Sequence, residues 1–124
     1  MKKALSILLI LILVLSCSYP VLAAEIVPYG INVTDGGLLY DLTYEQYYLY
    51  GYASGKNEYK TITATLYTDS GSFIYAVTHS ETNYRVDAGG YIPFDLAPGR
   101  YKVQVVATTH NSTNSGLVRY YEID

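Results

Sequence analysis

GRYKVQVVAT, residues 99–108, decides the fold class. Tyr101, Val103, Val105 and Ala107 fall on one side of an extended chain, with Lys102 and Gln104 on the other. Successive side chains of a strand point to opposite faces, so one apolar set at a period of two marks a strand half buried in a sheet. The pattern recurs in Tyr59–Thr68, where Ile62, Ala64 and Leu66 oppose Thr61, Thr63, Thr65 and Tyr67. Further strands are predicted at 31–34, 38–43, 46–53, 73–78 and 117–123, with a short apolar segment at 91–94. Asp35-Gly36-Gly37, Ser54-Gly55-Lys56-Asn57 and Asp69-Ser70-Gly71 supply turn chemistry, and His79–Gly90 and His110–Gly116 read as polar connections. Short strands at close spacing predict an all-β, antiparallel sandwich. One helical cue competes. Thr43-Tyr44-Glu45-Gln46 has capping-box spacing, which admits a single turn of helix but no more, because the tyrosines and Gly51 that follow are poor helix formers.

Ahead of this pattern lies a different composition. Lys2 and Lys3 precede the apolar run Ala4–Leu15, and Val21-Leu22-Ala23-Ala24 ends just before the first acid, Glu25. A cationic start, an apolar segment and a small-residue exit form the signature of a secretory leader. The reading is therefore a signal peptide over 1–24, cleaved after Ala23 or Ala24, followed by one domain over 25–124. The expected location is secreted or cell surface. Cys17, the only cysteine, falls inside the leader, so the domain has no intramolecular disulfide available. Val14-Leu15-Ser16-Cys17 offers an alternative, a lipid anchor on Cys17, although Leu15 is bulky where such sites take a small residue. Membrane contact is expected only through the leader or that anchor.

Charge narrows the partners. The chain carries a net −3, and removing Lys2 and Lys3 takes it to −5. The other basic residues, Lys56, Lys60, Arg85, Arg100, Lys102 and Arg119, are scattered, so no stripe exists to neutralise phosphates and nucleic acid is not an expected partner. Catalysis finds little footing as well. His79 and His110 are the only histidines, and no Gly-x-Ser-x-Gly elbow presents a serine to either. Neither zinc nor calcium has a ligand cluster in the sequence. Asp35, Asp69, Asp87 and Asp95 sit where turn preference explains them, with Asp87 and Asp95 converging only if their loop folds back. No metal and no cofactor are expected. Asn32-Val33-Thr34 and Asn111-Ser112-Thr113 match the glycosylation pattern, with Asn32 inside a predicted strand.

The unusual feature is tyrosine, at sixteen residues with no tryptophan. YEQYYLYGYAS, residues 44–54, holds five of them. Alternation puts Tyr48, Tyr50 and Tyr52 on one face and Tyr47, Leu49 and Gly51 on the other. With Leu49 turned inward, Tyr48, Tyr50 and Tyr52 become an outward ladder and the candidate binding residues. Packing of aromatic pairs across strands is the competing explanation for each ring taken singly, while a rigid amphipathic contact surface explains the group.

Two resemblances follow from these residues. Leu96-Ala97-Pro98-Gly99-Arg100-Tyr101, running into the strand above, resembles the corner of immunoglobulin-like and prealbumin-like sandwiches. There a Pro-Gly turn precedes a tyrosine whose hydroxyl bonds back to the corner backbone. The resemblance implies a structural role for Pro98, Gly99 and Tyr101, and an immunoglobulin-like form of the sandwich. Ala24-Glu25-Ile26-Val27-Pro28, Ile62-x-x-x-Leu66 and Gly99-x-Tyr101-x-Val103 together are similar to small secreted proteins of Gram-positive bacteria without an assigned function. That group implies no catalytic residues. The sequence thus predicts a secreted, non-enzymatic module that binds an extracellular protein or cell-wall component. A self-associating structural protein and a carbohydrate-binding module are the alternatives.

Overall fold

The computed structural model describes residues 31–110 and 113–124. These form five strands, β1 (Asn32–Asp41), β2 (Gln46–Thr68), β3 (Phe73–Tyr91), β4 (Gly99–Thr109) and β5 (Thr113–Ile123), with no helix among the described residues. All pairings are antiparallel. The strand order is β1-β2-β4-β5, with β3 on the other edge of β2.

β2 is the spine. Its first half pairs with β1 on one edge and with Arg85–Tyr91 of β3 on the other; its second half pairs with β4 and with Phe73–Asn83 of β3. Between the halves the ladder is irregular from Ser54 to Glu58. Extra residues in one strand bend it and re-aim the side chains beyond. The inward set changes accordingly, from Leu49, Gly51 and Ala53 before the corner to Lys60, Ile62, Ala64 and Leu66 after it, all buried. β3 changes with its partner, turning Val86 and Ala88 inward on one side and packing Val77 and Tyr75 against the core on the other. The single sheet therefore curls into a half-barrel rather than forming the two separate sheets expected.

Packing confirms the curl. A Cβ placed on Gly51 would stand 2.9 Å from Val105 Cγ1, 3.3 Å from Ile62 Cδ1 and 3.4 Å from Ala64 Cβ, so the first half of β2 lies on its own second half and on β4. β1 and β5 are not hydrogen-bonded neighbours in the sheet. Arg119 of β5 reaches across instead, donating from Nη1 to the Asp35 carboxylate at 3.2 Å and to the Gly36 carbonyl at 3.0 Å. At the corner, the buried Lys60 ammonium donates to the carbonyls of Glu58 (3.1 Å) and Asn83. Those two residues are the first pair formed where the ladder resumes, and capping them satisfies acceptors that burial would otherwise orphan.

The β4 alternation places Tyr101, Val103, Val105 and Ala107 in the core, as the sequence predicts. Tyr101 donates its hydroxyl to the Ala97 carbonyl at 2.5 Å, across the Pro98-Gly99 corner. Asp69-Ser70-Gly71 forms the β2–β3 turn, closed by Gly71 N to the Thr68 carbonyl at 2.9 Å, with Gly71 at φ +94°. Other turn signals are overridden. Asp35-Gly36-Gly37 lies inside β1, where the close approach of Val105 and Leu117 accounts for Gly36. Ser54-Gly55-Lys56-Asn57 is the β2 corner, and His79–Gly90 is strand because β2 offers it a partner along almost its whole length. Residues 1–30, including the leader, Cys17 and both cleavage positions, lie outside the described residues, as do Asn111 and Ser112.

Two substitutions test this packing. Gly51→Val is expected to destabilise the fold by about 1–3 kcal/mol through overpacking against Val105 and Ile62. Tyr101→Phe should cost about 1 kcal/mol by leaving the Ala97 carbonyl without its donor. Chemical denaturation of each variant beside the parent measures both.

Candidate functional site

β1 and β2 are joined by Leu42–Glu45, a four-residue loop between the paired Asp41 and Gln46. Where a capping box was readable, the loop is a hairpin turn organised by Asp41. Its Oδ1 accepts the amides of Thr43 (2.8 Å) and Tyr44 (3.3 Å), an Asx arrangement, and Glu45 takes a left-handed backbone at φ +53°. Gln46, the capping-box partner of Thr43 in that reading, is instead the first residue of β2.

Asp41 has a second role. Its Oδ2 accepts the hydroxyl of Tyr91, the last residue of β3, at 2.7 Å. The register that pairs Tyr91 with Tyr48 carries that ring to the hairpin. There it meets Tyr48 edge-to-face at 5.0 Å and Tyr44 at 5.3 Å, both near 60°. The three edge-on rings stand in the geometry favoured by the aromatic quadrupole. Leu39, Tyr40, Asp41, Leu42, Tyr48 and Tyr91 line an open groove of about 380 Å³, within the size range of small-ligand sites. Its rim is apolar and wet: Leu42 is 83% exposed, Tyr44 65% and Leu39 56%.

The two polar groups tune each other. The hydrogen bond from Tyr91 holds the Asp41 carboxyl below its ordinary value, helped by the loop amides and partly opposed by desolvation. Accepting that bond, the carboxylate pushes the Tyr91 phenol up to about 12. Asp41 is therefore an anion and Tyr91 a neutral donor across the physiological range. The stabilisation from lowered Asp41 is present above pH 3.8 and is lost as pH falls below it; that from raised Tyr91 is present below pH 10 and is lost as pH rises towards 12.

Tyr48, Tyr50 and Tyr52 do lie on the outer face of β2, opposite the buried Leu49. They are half-buried rather than a free ladder. Tyr48 and Tyr50 stack at 6.4 Å, and Tyr52 carries the Arg85 guanidinium 4.5 Å from its ring centre. Tyr50 faces the β1–β5 seam, where burial and the charge of Asp35 push its phenol up and a hydrogen bond from Arg119 pulls it down. Only Tyr48 of the three reaches the groove. Leu39, Tyr40, Asp41, Leu42, Tyr44 and Tyr91 are additions that the sequence did not single out. Leu42, read as part of a strand over 38–43, stands instead in the hairpin loop beyond the end of β1.

The remaining candidates stay apart. His79 is exposed on β3, and the neighbouring Ser80 hydroxyl is engaged with Thr61 at 2.7 Å. His110 lies at the exposed end of β4. Among the described residues no group of histidine and carboxylate side chains is arranged to hold a metal ion. No protein-family model matches the chain, and no curated protein matches it significantly.

The Asp41–Tyr91 bond is open to direct measurement. In an alkaline titration followed by phenolate absorbance, Tyr91 should ionise near 12, and Tyr91→Phe should remove that late step. Asp41→Asn should bring it down towards 10; an unchanged late step would place the bond elsewhere.

Proposed function

We propose that this chain is an exported, non-enzymatic binding module of the cell surface, and that it binds through the aromatic groove at the β1–β2 hairpin. The observation carrying this reading is the contiguous exposure of Leu39, Tyr40, Leu42, Tyr44 and Tyr91 around one groove. Apolar residues scattered singly on a surface need no explanation, whereas a clustered patch marks an interaction site. Leu42 and Tyr44 add nothing to the core, and Tyr supplies rigid contact area at low entropic cost. Export is supported by the leader pattern of residues 1–24.

The immunoglobulin-like character of the sandwich belongs to the same proposal. Its support is the Tyr101–Ala97 bond across Pro98-Gly99 and the stacking of one half of β2 on the other.

Self-association into an envelope or matrix is the second reading. It is favoured by β3, which pairs with β2 along one edge and with no other described strand, leaving a long template for another chain. The two readings separate in one experiment. The purified chain is expected to sediment with insoluble cell wall and to run as a monomer in velocity sedimentation. Leu42→Ser/Tyr44→Ser, at exposed positions, should keep the circular dichroism of the parent and lose retention. Oligomers that grow with concentration, together with wall retention unaffected by the double substitution, would transfer the function to the β3 edge.

A further inference from the structure

The groove differs from the rest of the tyrosine surface in its charge. Elsewhere on the described surface three tyrosine rings meet cations from the chain itself: Arg85 over Tyr52, Arg100 over Tyr120 and Lys102 over Tyr67, at 4.5, 4.6 and 5.1 Å. Arg119 bonds Tyr50 at the seam. None of the six residues lining the groove is basic; three are tyrosines, two are leucines and one is the carboxylate of Asp41. The hairpin from Asp41 to Gln46 adds Glu45 and no basic residue. Aromatic faces beside a fixed negative charge attract a cation, most of all a weakly hydrated one.

The hydrogen bonding of Asp41 selects among cations. Its two oxygens already accept three donors, the amides of Thr43 and Tyr44 and the hydroxyl of Tyr91. A primary ammonium brings three N–H groups that need acceptors, and walls of leucine and tyrosine rings offer few. A quaternary ammonium needs none. It takes the charge of the carboxylate and the ring faces while burying its methyl groups against Leu39 and Leu42. A phosphate beside the cation, as in a phospholipid headgroup, would face Asp41 and Glu45 with no basic residue at the hairpin to receive it.

We propose that the groove lined by Leu39, Tyr40, Asp41, Leu42, Tyr48 and Tyr91 is an aromatic cage for a quaternary ammonium group carried on an extracellular molecule other than a bilayer lipid. This assigns a ligand class to the site of the binding module and rests on that reading.

The test uses tetramethylammonium and choline as probes, with dimethylbutanol, in which carbon replaces the choline nitrogen, as the neutral control. Tyrosine ring resonances are followed by NMR. Both cations should shift the rings of Tyr40, Tyr48 and Tyr91 saturably, and the neutral isostere should bind roughly tenfold more weakly, the size of a partly desolvated cation–π contact. Asp41→Asn and Tyr48→Leu should each weaken the cations while Tyr52→Leu, outside the groove, leaves them unchanged. Equal binding of cation and isostere, or no shift of these rings, overturns the cage. So does sedimentation with phosphatidylcholine vesicles in the absence of any response to the free cations, which would make the tip a bilayer-inserting element. Wall retention that persists in excess choline would sink the ligand class and leave the binding module standing. Loss of wall retention by the parent protein would sink the module itself.

Discussion

Everything in this molecule follows from the corner in β2. A strand of 23 residues would be about 75 Å long if straight, by the rise of roughly 3.3 Å per residue, far longer than a domain of this size can bury. Folding it at Ser54–Glu58 lays its first half on its second. The inner surfaces then meet as Gly51 against Ile62, Ala64 and Val105. One β-ribbon thereby supplies both walls of the core, and β1, β4 and β5 complete them. The corner also fixes which side chains are outside, because the inward set passes from odd to even positions across it. With the other parity before the corner, Leu49 would face solvent and Tyr50 or Tyr52 would need the space that Gly51 now leaves to Val105. Lys60 joins this constraint from within, since its ammonium holds the carbonyls of both strands where pairing restarts.

The outer face shows how a tyrosine-rich surface is kept in order. Rings on β2 and β5 lie over β3 and β1, and those strands present glycine beneath them. A side chain on Gly89 would collide with the Tyr48 phenol, and one on Gly37 with the Tyr121 hydroxyl. The aromatic body covers backbone that lacks its own side chain, so a tyrosine on one strand and a glycine on the next act as a pair. This packing explains why Tyr48, Tyr50 and Tyr52 are only half exposed while facing outward. It also frees the hairpin beyond them, where no strand remains to be covered, and there Leu42 and Tyr44 project.

The sequence discloses local geometry well and distant juxtaposition poorly. Val103–Ala107 and Ile62–Leu66 are legible because alternation depends only on neighbours along the chain. The inward choice for Leu49 is legible for the same reason. Gly36 and Gly55 mislead, since glycine serves turns, bulges and close approaches equally, and only the surrounding fold decides among them. His79–Gly90 is read as a connection because a polar strand on a sheet edge carries no apolar set to announce itself. Tyr91 is invisible as a site residue for a deeper reason. Its meeting with Asp41, fifty residues away, depends on the β2–β3 register, which the bulge at the corner shifts and no local pattern encodes.

Asp41 is where fold and candidate function coincide. As a turn residue its carboxylate could be replaced by asparagine, which makes similar contacts to the loop amides. The bond from Tyr91 uses the other oxygen and ties the end of β3 to the hairpin, so the groove floor depends on both. A carboxylate held anionic and crowded with donors is poorly suited to binding another hydrogen-bond donor, yet its charge remains. That charge stands among rings that have no basic neighbour in the groove, whereas Tyr52, Tyr67 and Tyr120 have each taken an arginine or lysine from the same chain. The groove keeps the electrostatic character that those sites have neutralised, with two leucines at its mouth. Turn formation requires none of this surplus, and the core gains nothing from Leu42 in water; the cationic, apolar ligand proposed for the groove would use both.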